Sequence, residues 1–134
     1  MTPQDMAELH VRVSNSPWSA DSFAQQIEQP NALLAFNEHA FAIGRAILDE
    51  AELLQIATDP DHQRQGMGRQ VLIAFESAAR AKGCARAFLE VAQSNAPAQA
   101  LYATCGWQTD GRRKAYYTTP NGDREDALLL SKIL

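Results

Sequence analysis

Long apolar runs are missing from the 134-residue sequence; none approaches the roughly 20 consecutive residues that a membrane span requires. The first residues, Met-Thr-Pro-Gln-Asp-Met, also lack the basic start and apolar stretch of a secretory signal. Both absences set the expectation of a cytoplasmic protein with no membrane partner. Cysteine is scarce: Cys84 and Cys105 stand far apart, and neither has a second Cys or a His at metal-ligand spacing, which argues against a disulfide framework and against zinc. The three histidines, His10, His39 and His62, are scattered and read as ordinary surface or packing residues, so no metal is expected. Cationic side chains are the minority, 12 Lys and Arg against 16 Asp and Glu. A net charge of -4 repels a phosphate backbone and weakly favours a cationic partner, so direct nucleic acid binding is not expected. Repeats, low-complexity tracts and Gly/Ser linkers are absent as well.

What the sequence does contain is the material of a packed interior. It is 46% hydrophobic and 21% charged, a folded composition, and its length supports one core but not two ordinary domains. A single domain over residues 1–134 is the expectation.

The chain alternates helix-like and strand-like segments. Met6, Leu9, Val11 and Val13 lie in a first helical segment, and Ser19 is placed to cap a second one carrying Phe23 and Ile27, which Pro30-Asn31 ends. Residues 32–36 and 40–48 read as strands joined by the polar turn Asn37-Glu38-His39. Residues 52–58 form a third strand whose apolar run, Leu53, Leu54, Ile56 and Ala57, predicts burial on both faces. From 68 to 82, Val71, Leu72, Phe75, Ala78 and Ala79 fall at helical spacing, with Gly83 as the stop. A strand over 87–91, a helix over 97–104 with Pro97 in its first turn, and a closing hairpin over 107–117 and 126–131 complete the pattern. The order predicts a mixed α/β sheet with helices on its faces.

Chemistry concentrates first in Gln63-Arg64-Gln65-Gly66-Met67-Gly68-Arg69, between a buried strand and an amphipathic helix. Two glycines let the backbone approach a ligand with several N–H groups aligned, the positive end of the helix dipole adds to them, and Arg64 and Arg69 add charge. Taken alone, a Gly-x-Gly is more often a simple turn than a ligand loop. The loop lacks the Gly-Lys-Ser/Thr ending of a P-loop and the third glycine of a dinucleotide fingerprint.

Gln-x-x-Gly-x-Gly after Asp59-Pro60 resembles the pyrophosphate-binding motif of the GCN5-related N-acetyltransferase (GNAT) superfamily. The segments 54–69, 89–107, 112–117 and 122–127 are similar to the branch of that superfamily that acetylates the N-terminal alanine of a ribosomal protein. The resemblance implies the GNAT fold, a mostly antiparallel sheet flanked by helices, and acetyl-coenzyme A as co-substrate. It places the pyrophosphate at Arg64, Gln65, Gly66, Met67, Gly68 and Arg69, and the acetyl and pantetheine arm along Ile56, Ala57 and Thr58. Asn95, locally a helix N-cap, is implied as a further cofactor contact. Glu90, a carboxylate in an otherwise apolar strand, is implied as the base that deprotonates the acceptor amine, and Tyr102 as the acid that protonates the departing thiolate. Arg112, Arg113, Tyr116 and Tyr117 match a segment near the acceptor.

The implied partner is the N-terminus of a basic small-subunit ribosomal protein, met by a monomer or weak homodimer. Protein lysines, a small-molecule amine, or simple acyl-coenzyme A binding without catalysis are the alternatives. Two departures stand out: the family's first strand is missing before the first helix, and Ala92-Gln93 stands where close relatives carry an Arg.

Overall fold

In a computed structural model describing residues 1–134, six strands form one sheet in the order β1-β2-β3-β4-β6-β5. Two helices come first. Helix α1 (Pro3–Val13) starts with Thr2 and Asp5 capping each other's backbone N–H, and α2 (Ala20–Glu28) starts on the Ser19 hydroxyl, which accepts from the Ser22 N–H. Strands β1 (Ala32–Phe36), β2 (Ala40–Ile47) and β3 (Glu50–Thr58) follow as an antiparallel meander. Helix α3 (Met67–Ala81), strand β4 (Arg86–Ala92), helix α4 (Ala96–Thr104) and the hairpin β5 (Gln108–Thr118) and β6 (Arg124–Ile133) complete the chain. The mixed, mostly antiparallel sheet flanked by helices agrees with the sequence reading. β1 lies at one edge of the sheet and β5 at the other.

The helices divide between the two faces. Met6, Leu9 and Phe23 of α1 and α2 pack with Phe41 and Ile43 on one face. Val71, Leu72, Phe75 and Ala79 of α3, with Tyr102 of α4, pack with Ala40, Ala42, Ala51 and Leu53 on the other.

The apolar run in β3 has a specific cause. Ile43 of β2 pairs with Gln55 and Gly44 with Leu53, so Leu54 is an extra residue, a β-bulge. Side chains alternate between faces with period two, and one extra residue inverts that alternation. Ala51 and Leu53 accordingly face α3, whereas Ala57, also odd-numbered, joins the α1 and α2 side. Gly44 faces this irregularity. A Cβ there would stand 2.0 Å from the Glu52 carbonyl oxygen and 2.8 Å from the Phe75 ring, so no larger residue fits without a shift.

Candidate active site

Strands β3 and β4 run parallel but pair only at Glu50, Ala51 and Glu52 with Arg86, Ala87 and Phe88. Beyond those rungs they part, and residues 53–58 keep a strand partner on the β2 side alone. A cleft of about 480 Å³ opens there. Leu53, Leu54, Gln55 and Ile56 form one wall and Leu89, Glu90, Val91 and Ala92 the other. Asn95, the N-cap of α4, Ala98 and Tyr102 of α4, Val13 to Ser16 and Tyr117 to Pro120 also line the cleft. The open β3 edge offers backbone N–H and C=O groups to a ligand lying alongside, as a neighbouring strand would.

At the C-terminal end of β3 the chain passes through a short 3₁₀ turn, Pro60–His62, into α3. Asp59 fastens this passage: its Oδ1 accepts from the Asp61 N–H at 2.9 Å and pairs with Arg12 of α1 at 3.0 Å. The next residues stay open. Gly66, the N-cap of α3, lies in the left-handed region at φ 79°, no side chain caps the helix, and a Cβ at Gly66 would meet nothing within 4 Å. The first-turn N–H groups of a helix have no intrahelical partner, so Met67, Gly68 and Arg69 present donors to whatever occupies that space. Arg64, also left-handed at φ 63°, and Arg69 are exposed, and neither forms an ion pair. Open donors, free guanidiniums and room for a ligand fit a polyanion such as a pyrophosphate.

The two loop glycines, alike in sequence, differ in role. Gly68 meets protein rather than space: a Cβ there would lie 3.0 Å from the Thr58 Oγ1 and 3.7 Å from Leu101. It permits close packing of α3 on the end of β3, while Gly66 permits the turn and the approach of a ligand.

Glu90 and Tyr102, twelve residues apart on β4 and α4, line the same cleft. Glu90 is half-buried and its Oε1 lies 2.9 Å from the Arg113 Nη2 on β5; the Arg113 guanidinium in turn lies over the Tyr116 ring at 4.5 Å. Tyr102 is buried, with its ring 5.8 Å from that of Trp107. Burial, reinforced by neighbouring Tyr117, pushes the Tyr102 phenol above its ordinary range, so the group is protonated at neutral pH. Burial and then Glu90 do the same to Tyr117. The Asn95 side chain caps α4, its Oδ1 accepting from the Ala98 N–H at 3.2 Å, and Asn95 also lines the cleft. Arg112 stands apart from Arg113, paired with Asp126 at 3.1 Å.

Burial pushes both the Cys84 and the Cys105 thiol up, which leaves neither as a ready nucleophile. The histidines are less scattered than the sequence suggests. His39 and His62 stack with ring centroids 3.6 Å apart and planes 5° from parallel, and Asp59 stands beside them. This grouping is not a poised metal site, because imidazole lone pairs lie in the ring planes and two parallel planes do not converge on one ion. His10 packs at the end of α1, only 2% exposed, with its Nδ1 accepting from the Trp18 N–H at 2.9 Å, and it lines the cleft. The sequence reading gave it no place in the site; its spacing from Met6 on the apolar face of α1 is the signal that marks it as interior.

A splayed sheet, an open loop at a helix N-terminus, and a carboxylate and phenol lining the same cleft suit acyl transfer from an acyl-coenzyme A. The sequence matches the Acetyltransferase (GNAT) family over residues 4–107, and the chain belongs to that family. It is therefore an acetyltransferase that uses acetyl-coenzyme A. It is 44% identical over 131 residues, 93% of this chain and 88% of the relative, to the [ribosomal protein bS18]-alanine N-acetyltransferase of Escherichia coli K12. The same-named protein of Haemophilus ducreyi is 37% identical over 122 residues, covering 88% and 84% of the two chains. The crystal structure of the Escherichia coli ribosomal-protein-S18-alanine N-acetyltransferase superposes with a TM-score of 0.86 at 38% identity, covering 98% of this chain and 86% of that one.

Proposed function

We propose that this chain acetylates the α-amine of the N-terminal alanine of the small-subunit ribosomal protein bS18 by direct transfer. The observation that carries the reading is the placement of Glu90 and Tyr102 on one cleft beside the open edge of β3, in a chain 44% identical to a relative named for that reaction. Acetyl-coenzyme A supplies the acetyl group as an activated thioester. The backbone N–H groups at Gly66, Met67, Gly68 and Arg69, with Arg64, Gln65 and the Arg69 guanidinium, hold its pyrophosphate. The open edge at Ile56, Ala57 and Thr58 pairs with the pantetheine arm, and Asn95 adds a polar contact. A backbone N–H on that edge stabilises negative charge developing on the thioester oxygen.

An amine arrives as an ammonium and is not a nucleophile until it loses a proton. The Glu90 carboxylate, directly or through a water, takes that proton. Tyr102, held as the neutral phenol, gives its Oη proton to the sulfur as the carbon–sulfur bond breaks; the nitrogen, which carries one proton too many after attack, returns that proton to Tyr102 through solvent, and Glu90 releases its own to solvent. The acetyl carbon exchanges a bond to sulfur for one to nitrogen, so no covalent enzyme intermediate is required.

The test is to incubate the purified chain with acetyl-coenzyme A and ribosomal proteins and to locate added acetyl groups by mass spectrometry. A single acetyl on the N-terminal alanine of bS18 is expected. Acetylation confined to lysine side chains, or none at all, would overturn the reading.

A further inference from the structure

Seven carboxylates of this chain are at least half-buried. Six have a cationic partner: Glu50 and Arg86, Glu52 and Arg45, Asp59 and Arg12, Glu76 and Lys132, Glu90 and Arg113, Asp126 and Arg112. The seventh, Glu125 at the start of β6, has none; its Oε1 accepts from the Ser94 hydroxyl at 3.0 Å. A partly desolvated carboxylate without a counter-charge is less favourable than a paired one, and the pattern elsewhere in this fold is to supply a cation.

Glu125 lines the cleft. It and Glu90 are the only Asp, Glu, Lys or Arg side chains that do, and Arg113 already neutralises Glu90. One uncompensated negative charge therefore remains on the acceptor side of the site, fixed in direction by a neutral hydroxyl. We infer that the missing cation comes from the substrate: Glu125 receives a basic side chain of the acceptor, close behind its N-terminus. This inference rests on the proposed α-amine acetylation.

The sheet sets the distance. Glu90 pairs with Leu129 of β6, and Glu125 lies four residues along the same strand on the same face. At roughly 3.3 Å per residue that is about 13 Å. An extended acceptor advances by the same step, so an amine held at Glu90 brings the side chain of the second to fourth residue level with Glu125. The substrate class is thus a peptide with a free N-terminal amine and an Arg or Lys within the next three positions.

The experiment uses the full chain and eight-residue peptides that begin with alanine. One peptide is otherwise neutral, and three carry a single Arg at position two, three or four. kcat/KM is read from thiol release. One of the Arg positions should raise kcat/KM by about tenfold over the neutral peptide, the size of a charge-assisted contact in a partly desolvated site. Glu125→Gln should bring that ratio to near one, Ser94→Ala should reduce it, and Glu125→Arg should push it below one. Added salt should shrink it in the parent. Thermal melts check that each variant is folded, and the ratio between peptides is internal to each variant, so a general loss of activity does not mimic the effect. Equal rates on neutral and Arg peptides in the parent, or a preference that survives Glu125→Gln, would overturn the inference while leaving α-amine acetylation intact. Failure to acetylate any alanine-leading peptide would instead bring down the proposed function.

Discussion

Replacing Gly66 by alanine separates a ligand loop from a structural turn. Gly66 sits at φ 79°, where an L-residue is disfavoured by about 1–2 kcal/mol, and its Cβ would meet nothing within 4 Å. The folded protein should therefore lose only that amount, a Tm lowered by roughly 4–8 °C for a small domain. The new methyl group, however, projects into the space in front of the α3 N-terminus, where the pyrophosphate must come within hydrogen-bond distance of the N–H groups. Affinity for acetyl-coenzyme A should fall by about tenfold or more, which is roughly 1.4 kcal/mol or more of binding free energy, and Gly66→Val should abolish it. Gly68→Ala behaves in the opposite way. Its Cβ would press on Thr58 Oγ1 at 3.0 Å, so its primary effect is on stability. Calorimetric titration with acetyl-coenzyme A alongside thermal melts measures both quantities. Binding within twofold of the parent for Gly66→Ala would refute the assignment of this loop to the pyrophosphate.

Glu90→Gln and Tyr102→Phe should each lower kcat by about 10²-fold or more with acetyl-coenzyme A affinity little changed, as steady-state kinetics and titration would show; turnover within twofold of the parent removes the residue from the mechanism. Lys132→Met removes the nearer of two cations from Glu76, a carboxylate only 2% exposed that Lys132 contacts at 2.6 Å and Arg80 at 3.8 Å, and should destabilise the fold by about 1–3 kcal/mol in urea unfolding. Burial holds the His10 imidazole below its ordinary pKa, against the smaller opposing effect of a hydrogen bond it donates to Gln55. The unfolded chain then binds more protons than the folded one as pH falls through the unfolded value, so stability drops on acidification, and His10→Gln should flatten the stability profile between about pH 7 and 5. Gly44→Ala should destabilise by about 2 kcal/mol or more, since a Cβ would stand 2.0 Å from the Glu52 carbonyl oxygen; an unchanged melting temperature would mean that the β3 bulge yields easily.

Local chemistry was legible in the sequence wherever one segment carries its own signal. Ser19 as a cap, Pro97 in the first turn of α4, the period of Val71, Leu72 and Phe75 and the turn residues between strands are short-range facts, and those elements lie where the pattern puts them. The glycine turn before α3 was readable for the same reason, because the turn and the helix N-terminus are built from neighbouring residues.

Relations between distant segments became visible only with the fold. The Leu53, Leu54, Ile56, Ala57 run reads as uniform burial, but the cause is a bulge opposite Gly44, created by pairing with another strand. Gly66 and Gly68 look equivalent until Thr58 and Leu101 are set beside one of them. His39 and His62 are 23 positions apart (62 - 39) and yet stacked, because the turn before β2 and the turn after β3 lie at the same end of the sheet. Likewise Glu90 as a carboxylate in an apolar strand is a sequence observation, whereas its pairing with Arg113, and the lack of any such partner for Glu125, depend on which strands the sheet places side by side. Composition and local pattern determined the class of fold and the glycine turn that opens α3. The balance of charge in the acceptor cleft was decided by tertiary structure, since a charge is compensated by whatever lies near it in space.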